Sequence, residues 1–135
     1  MRPAFPAVLA LVLVASVLVP LEAQVDPATA LVGRWDGEMR KLHPKQNLAT
    51  AWTLVIEQMR EQDGKWIVES AKFGETGKAL RPMQVKVRVS GGKVTVAFNP
   101  PRSSIILRLV REGSLVGSVT VGTVGTTPME FTKVK

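Results

Sequence analysis

Apolar and polar residues alternate along most of the chain from Val32 onward. A period of two places successive side chains on opposite faces of an extended strand, so the pattern predicts β-strands. Gly, Pro, Asn and Asp interrupt the alternation at short intervals and mark turns. Residues 24–31 are the exception, where Asp26-Pro27 could begin one helical turn. The pattern predicts eight strands, over residues 32–42, 48–60, 65–73, 83–90, 93–98, 104–111, 115–121 and 128–134.

Short strands joined mostly by tight turns form a meander. An open meander leaves two unpaired edges, whereas pairing of the last strand with the first removes both. We therefore expect an all-β, eight-stranded antiparallel up-and-down barrel, with a sandwich of two sheets as the alternative. The alternation predicts these inward-facing residues: Trp35, Gly37, Met39, Leu54, Ile56, Trp66, Val68, Met83, Val85, Val87, Val89, Val94, Val96, Phe98, Ile105, Leu107, Leu109, Leu115, Val119, Val121, Met129 and Phe131.

The beginning of the chain has the layout of a signal peptide, with a basic start, an apolar stretch, a helix breaker at Pro20 and a small residue at Ala23. The apolar stretch is about a dozen residues, whereas a membrane span needs roughly 20. We expect residues 1–23 to be a signal peptide, 24–31 a short N-terminal segment and 32–135 one barrel domain. The protein would then be secreted or periplasmic in a bacterium, without a membrane span in the mature chain. An uncleaved N-terminal anchor is the alternative.

The chain carries a net charge of +7 at pH 7 and has no Cys. Without disulfides, burial of apolar side chains must stabilise the domain. A solvated basic surface is the default interpretation of this charge, and an anionic partner, such as an envelope polymer, lipid head groups or an acidic protein face, is the alternative. The alternation places Lys86, Arg88, Arg108 and Arg111 on the outer face of adjacent strands. Nucleic acid is not an expected partner, because the aromatic residues fall inward and do not alternate with the basic ones.

Residues for catalysis or metal binding are scarce. His43, beside Pro44 in a predicted loop, is the only histidine. One His without Cys supports neither a Cys/His metal site nor a Ser–His–acid triad. The acidic residues are scattered and mostly predicted to face outward. We therefore expect no catalytic residues, no metal and no cofactor, and hence a protein that is not an enzyme.

Five short pieces of the sequence carry a family resemblance: 33–37 (Gly-Arg-Trp-Asp-Gly), 54–58, 63–66, 115–119 and 131–133. They resemble the lipocalin/calycin superfamily, and more closely the small Gly-x-Trp barrel found alone or beside secreted bacterial serine hydrolases. The resemblance implies that Trp35 packs at the closed end of the barrel, under a basic residue from the last strand. We expect Lys133 to be that residue, with Arg108 as the competing candidate. Gly33, Trp35 and Lys133 would then form a structural latch, a cation over an aromatic ring.

An eight-stranded barrel has room for filling side chains or for one small ligand. Trp52 shares a strand face with Leu54 and lies near a strand start. Trp52 could therefore line an apolar cavity at the barrel mouth together with Met39, Leu54 and Phe98. Packing in the core or at the rim is the alternative for Trp52.

The sequence thus predicts an exported, monomeric, non-enzymatic barrel that binds a small hydrophobic ligand. The alternative is an accessory or inhibitor module that docks on a protein or on the envelope. Such a module would use its N-terminal segment, as a family of small periplasmic protease inhibitors does, or its basic outer face.

Overall fold

The computed structural model describes residues 26–40 and 49–135. The predicted signal peptide and His43 lie outside these described residues. One short helix and nine strands make up the described part: α1 (Pro27–Leu31), β1 (Gly33–Met39), β2 (Ala51–Gln62), β3 (Lys65–Glu75), β4 (Arg81–Pro82), β5 (Val85–Ser90), β6 (Lys93–Phe98), β7 (Ser103–Arg111), β8 (Ser114–Val121) and β9 (Gly125–Lys133).

Eight of the strands form a closed antiparallel ring. The hydrogen-bonded order is β2-β1-β9-β8-β7-β6-β5-β3, and β3 pairs back with β2. Closure depends on the pairing of β1 with β9, which sets Trp35 opposite Lys133 and Met39 opposite Met129. The predicted eight-stranded up-and-down barrel is confirmed. The additional strand β4 lies in a stretch that the sequence predicts to be a loop. Its two residues pair with Lys72 and Phe73 of β3.

The interior of the barrel is an apolar core that follows the predicted alternation. Trp35, Leu54, Leu107 and Phe131 are among its fully buried members. Val89 departs from the prediction, with 44% of its surface exposed. It lies near the end of β5, where β5 pairs with β6 only, since β5 and β3 share a single residue pair.

Two irregularities in the pairing of β2 with β3 change which residues face inward. The register shifts between Ile56 and Gln58, and again between Gln58 and Met59. Each strand therefore carries one extra residue, and an extra residue reverses the side-chain alternation beyond it. On β2, the alternation that begins at Leu54 and Ile56 would point Gln58 inward, but Met59 packs against the core instead. On β3, the same reversal buries Phe73.

Glu57 lies at this irregularity and links the two strands on the outer surface. Its carboxylate accepts a hydrogen bond of 2.7 Å from the Ser70 hydroxyl and lies 3.6 Å from the Lys72 ammonium. The hydrogen bond from Ser70, and secondarily the charge of Lys72, lower the pKa of Glu57 below its ordinary value of 4.5. The contacts of Glu57 thus stabilise the irregular pairing on the solvent side of the sheet. On the core side, the same irregularity changes which apolar side chains face inward.

Candidate functional site

The end of the barrel that carries α1 is closed by contacts from Trp35 and Lys133. Asp26 caps the first turn of α1 by accepting from the backbone N–H of Ala28 at 3.3 Å. At the other end of the helix, the fully buried Trp35 donates its indole N–H to the Leu31 carbonyl at 2.9 Å. Carbonyls in the last turn of a helix lack intrahelical partners, so this hydrogen bond ties the helix to β1.

Lys133 completes this closure from the last strand. Its ammonium lies 5.9 Å from the centroid of the Trp35 ring and donates to the carbonyls of Thr29 (3.1 Å) and Ala30 (3.2 Å). A cation is favourable both over an indole face and at the C-terminal end of a helix. Arg108, the competing candidate, is exposed on the outer wall and pairs there with Thr95 and Val116.

Gly33 fits the latch because of its backbone and the space beside it. Its φ of +140° is one that residues with a side chain rarely adopt, and a Cβ there would lie 2.9 Å from Lys133 Cε. Gly33, Trp35 and Lys133 thus lie together at the closed end, where they make structural contacts between the first strand, the last strand and α1.

A cavity of about 390 Å³ lies at the opposite end of the barrel, which we call the mouth. Buried side chains of five strands form its deep part, and turn residues together with the exposed Arg81 and Pro82 form its rim. Among the described lining residues, only Arg81 and Ser103 have polar side chains. The cavity is lined by Met39, Trp52, Phe73, Gly74, Arg81, Pro82, Met83, Pro100, Pro101, Ser103, Ile105, Val119, Val121 and Met129.

Three aromatic rings form a continuous contact from the cavity into the core. Trp52 stacks on Phe73 with ring centroids 5.3 Å apart and planes 5° from parallel. Phe73 in turn meets Phe98 edge to face at 4.9 Å. The indole N–H of Trp52 donates to the Ala49 carbonyl at 3.1 Å, which fixes the ring at the cavity wall. The cavity wall thus offers the flat ring of Trp52, whose position is fixed by Phe73 and by the Ala49 carbonyl.

The four residues predicted to line an apolar cavity have different positions in the structure. Met39 and Trp52 lie on the cavity wall. Leu54 is fully buried in the core, and Phe98 lies behind Phe73, so neither is among the lining residues. Sequence reasoning missed Phe73, because the extra residue in β3 reverses the alternation before it. It also missed Arg81, because the two-residue strand β4 is too short to show a period.

The described residues provide no group of three or more His, Asp or Glu side chains placed to hold a metal ion. Within the same part of the chain, no helix is long and apolar enough to cross a membrane. The described lining of the mouth offers a ligand apolar contact, aromatic stacking, the Ser103 hydroxyl and the Arg81 guanidinium at the rim.

Comparison with known proteins adds one structural similarity. No family model and no curated protein matches the sequence. Among solved structures, a crystal structure of a mutant of the fluorescent protein UnaG is similar to this chain, with 14% sequence identity and a TM-score of 0.42. The similarity covers 80% of this chain and 99% of that one. An identity and a TM-score this low do not transfer a function.

Proposed function

We propose that this protein is a non-enzymatic barrel that binds a small, mainly hydrophobic ligand in the cavity at its mouth. The apolar cavity carries this proposal. Its volume of about 390 Å³ falls in the range of roughly 300–1,000 Å³ of small-molecule sites, which are typically apolar with a few placed polar groups.

The arrangement of the lining suggests how a ligand would be oriented. Met39, Ile105 and Met129 surround the deep part of the cavity. Burial of an apolar chain there would contribute about 25 cal/mol of binding free energy for each Å² of apolar surface removed from water. Arg81 stands at the exposed rim. A ligand with an apolar body and a polar or anionic end would place the body inward and the polar end beside the guanidinium.

We propose a barrel type and a cellular location as well. The Gly-x-Trp latch at the closed end is consistent with a small calycin-like barrel of the kind found alone or beside secreted hydrolases. Export by residues 1–23 to the periplasm or the medium would place the barrel where it meets envelope lipids or exogenous amphiphiles.

The position of the N-terminal segment argues against an inhibitor that inserts this segment into a partner. Leu31 is fully buried, and the carbonyls of Thr29 and Ala30 are held by Lys133. Insertion of α1 into a partner would have to break these contacts, so we favour the mouth as the functional end.

A cavity-filling variant tests the proposal. Val121 lines the cavity on β8, whereas Val116 on the same strand faces solvent. We expect Val121→Phe to weaken binding of a fluorescent fatty-acid probe at least tenfold, because the larger ring occupies ligand space. Val116→Phe makes the same substitution outside the barrel and should leave the affinity unchanged. Absence of wild-type binding at high micromolar probe, or equal loss in both variants, would contradict the proposal.

A further inference from the structure

Basic side chains surround the mouth of the barrel. The described connections there carry Arg40, Lys78 and Arg102, beside Arg81 of β4. Lys78 forms a 3.1 Å ion pair with Glu75 at the end of β3. The three arginines form no ion pair with another described residue, so their charges are available to an anionic partner.

Apolar groups project among the cations of the mouth. Val124, in the connection between β8 and β9, has 52% of its surface exposed. This connection is joined to that of Arg102 by a 2.8 Å hydrogen bond from the Gly122 N–H to the Arg102 carbonyl. Pro101 is exposed immediately before Arg102. Exposed apolar tips flanked by basic residues are the composition of surfaces that lie in the interface of anionic bilayers.

We propose that the mouth of the barrel docks on an anionic lipid surface. An acidic protein face would satisfy the cations but would not require exposed apolar tips between them, whereas a bilayer accepts both groups. The geometry points the cavity of the proposed function at the membrane, so an apolar ligand could pass between bilayer and barrel without crossing water. Only this transfer of ligand rests on the proposed function, because the docking itself is tested without a ligand.

The expected strength follows from the number of cations near the lipid. Each Lys or Arg close to an anionic surface contributes about a fivefold gain in partitioning. Arg40 and Arg102 do not line the cavity, so they can be changed without altering the ligand site. The double variant Arg40→Gln/Arg102→Asn should therefore reduce partitioning roughly 25-fold. Asn is chosen at residue 102 because the backbone there has φ 62°, which Asn tolerates.

The experiment is co-sedimentation of the whole domain with vesicles of phosphatidylcholine, with and without phosphatidylglycerol. We expect binding only to the anionic vesicles, with loss at high salt and in the Arg40→Gln/Arg102→Asn variant. Arg88→Gln/Arg108→Gln is the matched control, because it removes the same charge from exposed positions on the outer wall of the barrel. This control should bind like the wild type.

The orientation is checked by single labels, since the chain has no native Cys. An environment-sensitive fluorophore on Val124→Cys should shift to the blue on anionic vesicles, and one on Glu112→Cys at the closed end should not. Lack of wild-type binding, equal loss in both double variants, or equal shifts of both labels would overturn the docking proposal. A ligand titration in the absence of vesicles reports separately on the proposed function.

Discussion

Replacement of Gly117 by Ala is expected to destabilise the barrel by at least about 3 kcal/mol. Gly117 lies in the interior of β8, opposite Leu107 of β7 and Met129 of β9. A Cβ at this position would lie 1.9 Å from the carbonyl oxygen of Ile106 and 2.8 Å from Cα of Leu107. Both atoms belong to the backbone of the neighbouring strand, so no rotation of a side chain relieves the clash. The two strands would have to separate and lose ladder hydrogen bonds.

Urea unfolding followed by Trp fluorescence measures this effect. The control is Gly91→Ala, where nothing lies within 4 Å of the added Cβ and the φ of +58° alone opposes a side chain. We expect Gly91→Ala to cost about 1 kcal/mol, because only the left-handed backbone conformation is penalised. A Gly117→Ala variant within 1 kcal/mol of the wild type would show that β7 and β8 do not approach as described.

Replacement of Trp35 by Ala is the second large effect, with an expected loss of 3–5 kcal/mol, as is typical of deleting a large buried side chain. The indole is fully buried and donates to the Leu31 carbonyl, and the Lys133 ammonium lies over its ring. Its removal therefore leaves a cavity in the core, an unpaired carbonyl in α1 and no aromatic face for Lys133. Trp35→Phe keeps most of the ring but not the hydrogen bond and should cost about 1–3 kcal/mol.

The same unfolding assay separates the latch from general core packing. Trp66→Phe is the control, since Trp66 is only half-buried near the start of β3, and we expect a loss below that of Trp35→Phe. Lys133→Met keeps the aliphatic stem and removes the charge. Its effect should be smaller in the Trp35→Ala background than in the wild type, because residues in contact are energetically coupled. Additive effects would contradict the latch.

The alternation was sufficient to predict the barrel because it reports burial directly. Strands such as β6 and β7 have one face toward solvent and one toward the core. Val96 and Leu107 therefore lie inside, and Arg108, one residue after Leu107, lies outside. The prediction fails for Phe73 because one extra residue changes parity, and nothing in the local sequence marks that residue. It also fails to find β4, since two paired residues are too few for a period.

The candidate site was only partly accessible to sequence reasoning. Met39 and Trp52 stand at strand ends that a barrel brings to one mouth, so their proximity follows from the topology. Arg81 lies in the two-residue strand β4 and Pro101 in a connection, and the position of both depends on tertiary packing and not on alternation. The reason for Gly117 was equally hidden, because the close approach of a neighbouring backbone is visible only once the strands are paired.

The two ends of the barrel thus differ in structure. The closed end holds α1, Trp35 and Lys133 in contacts that stabilise the ring. The mouth holds the cavity and most of the positive charge of the connections. Under the proposed function, a ligand would bind at the mouth, and the core near α1 would not respond to it.

The methionines provide the most direct measurement of this claim. Met39, Met83 and Met129 line the cavity, whereas Met59 packs against the core outside it. In methyl-labelled protein titrated with dodecanoate, we expect the NMR signals of the first three to shift together and saturate, while that of Met59 stays in place. If no methyl signal moves at millimolar dodecanoate, or if Met59 shifts as much as the others, the cavity is not the ligand site.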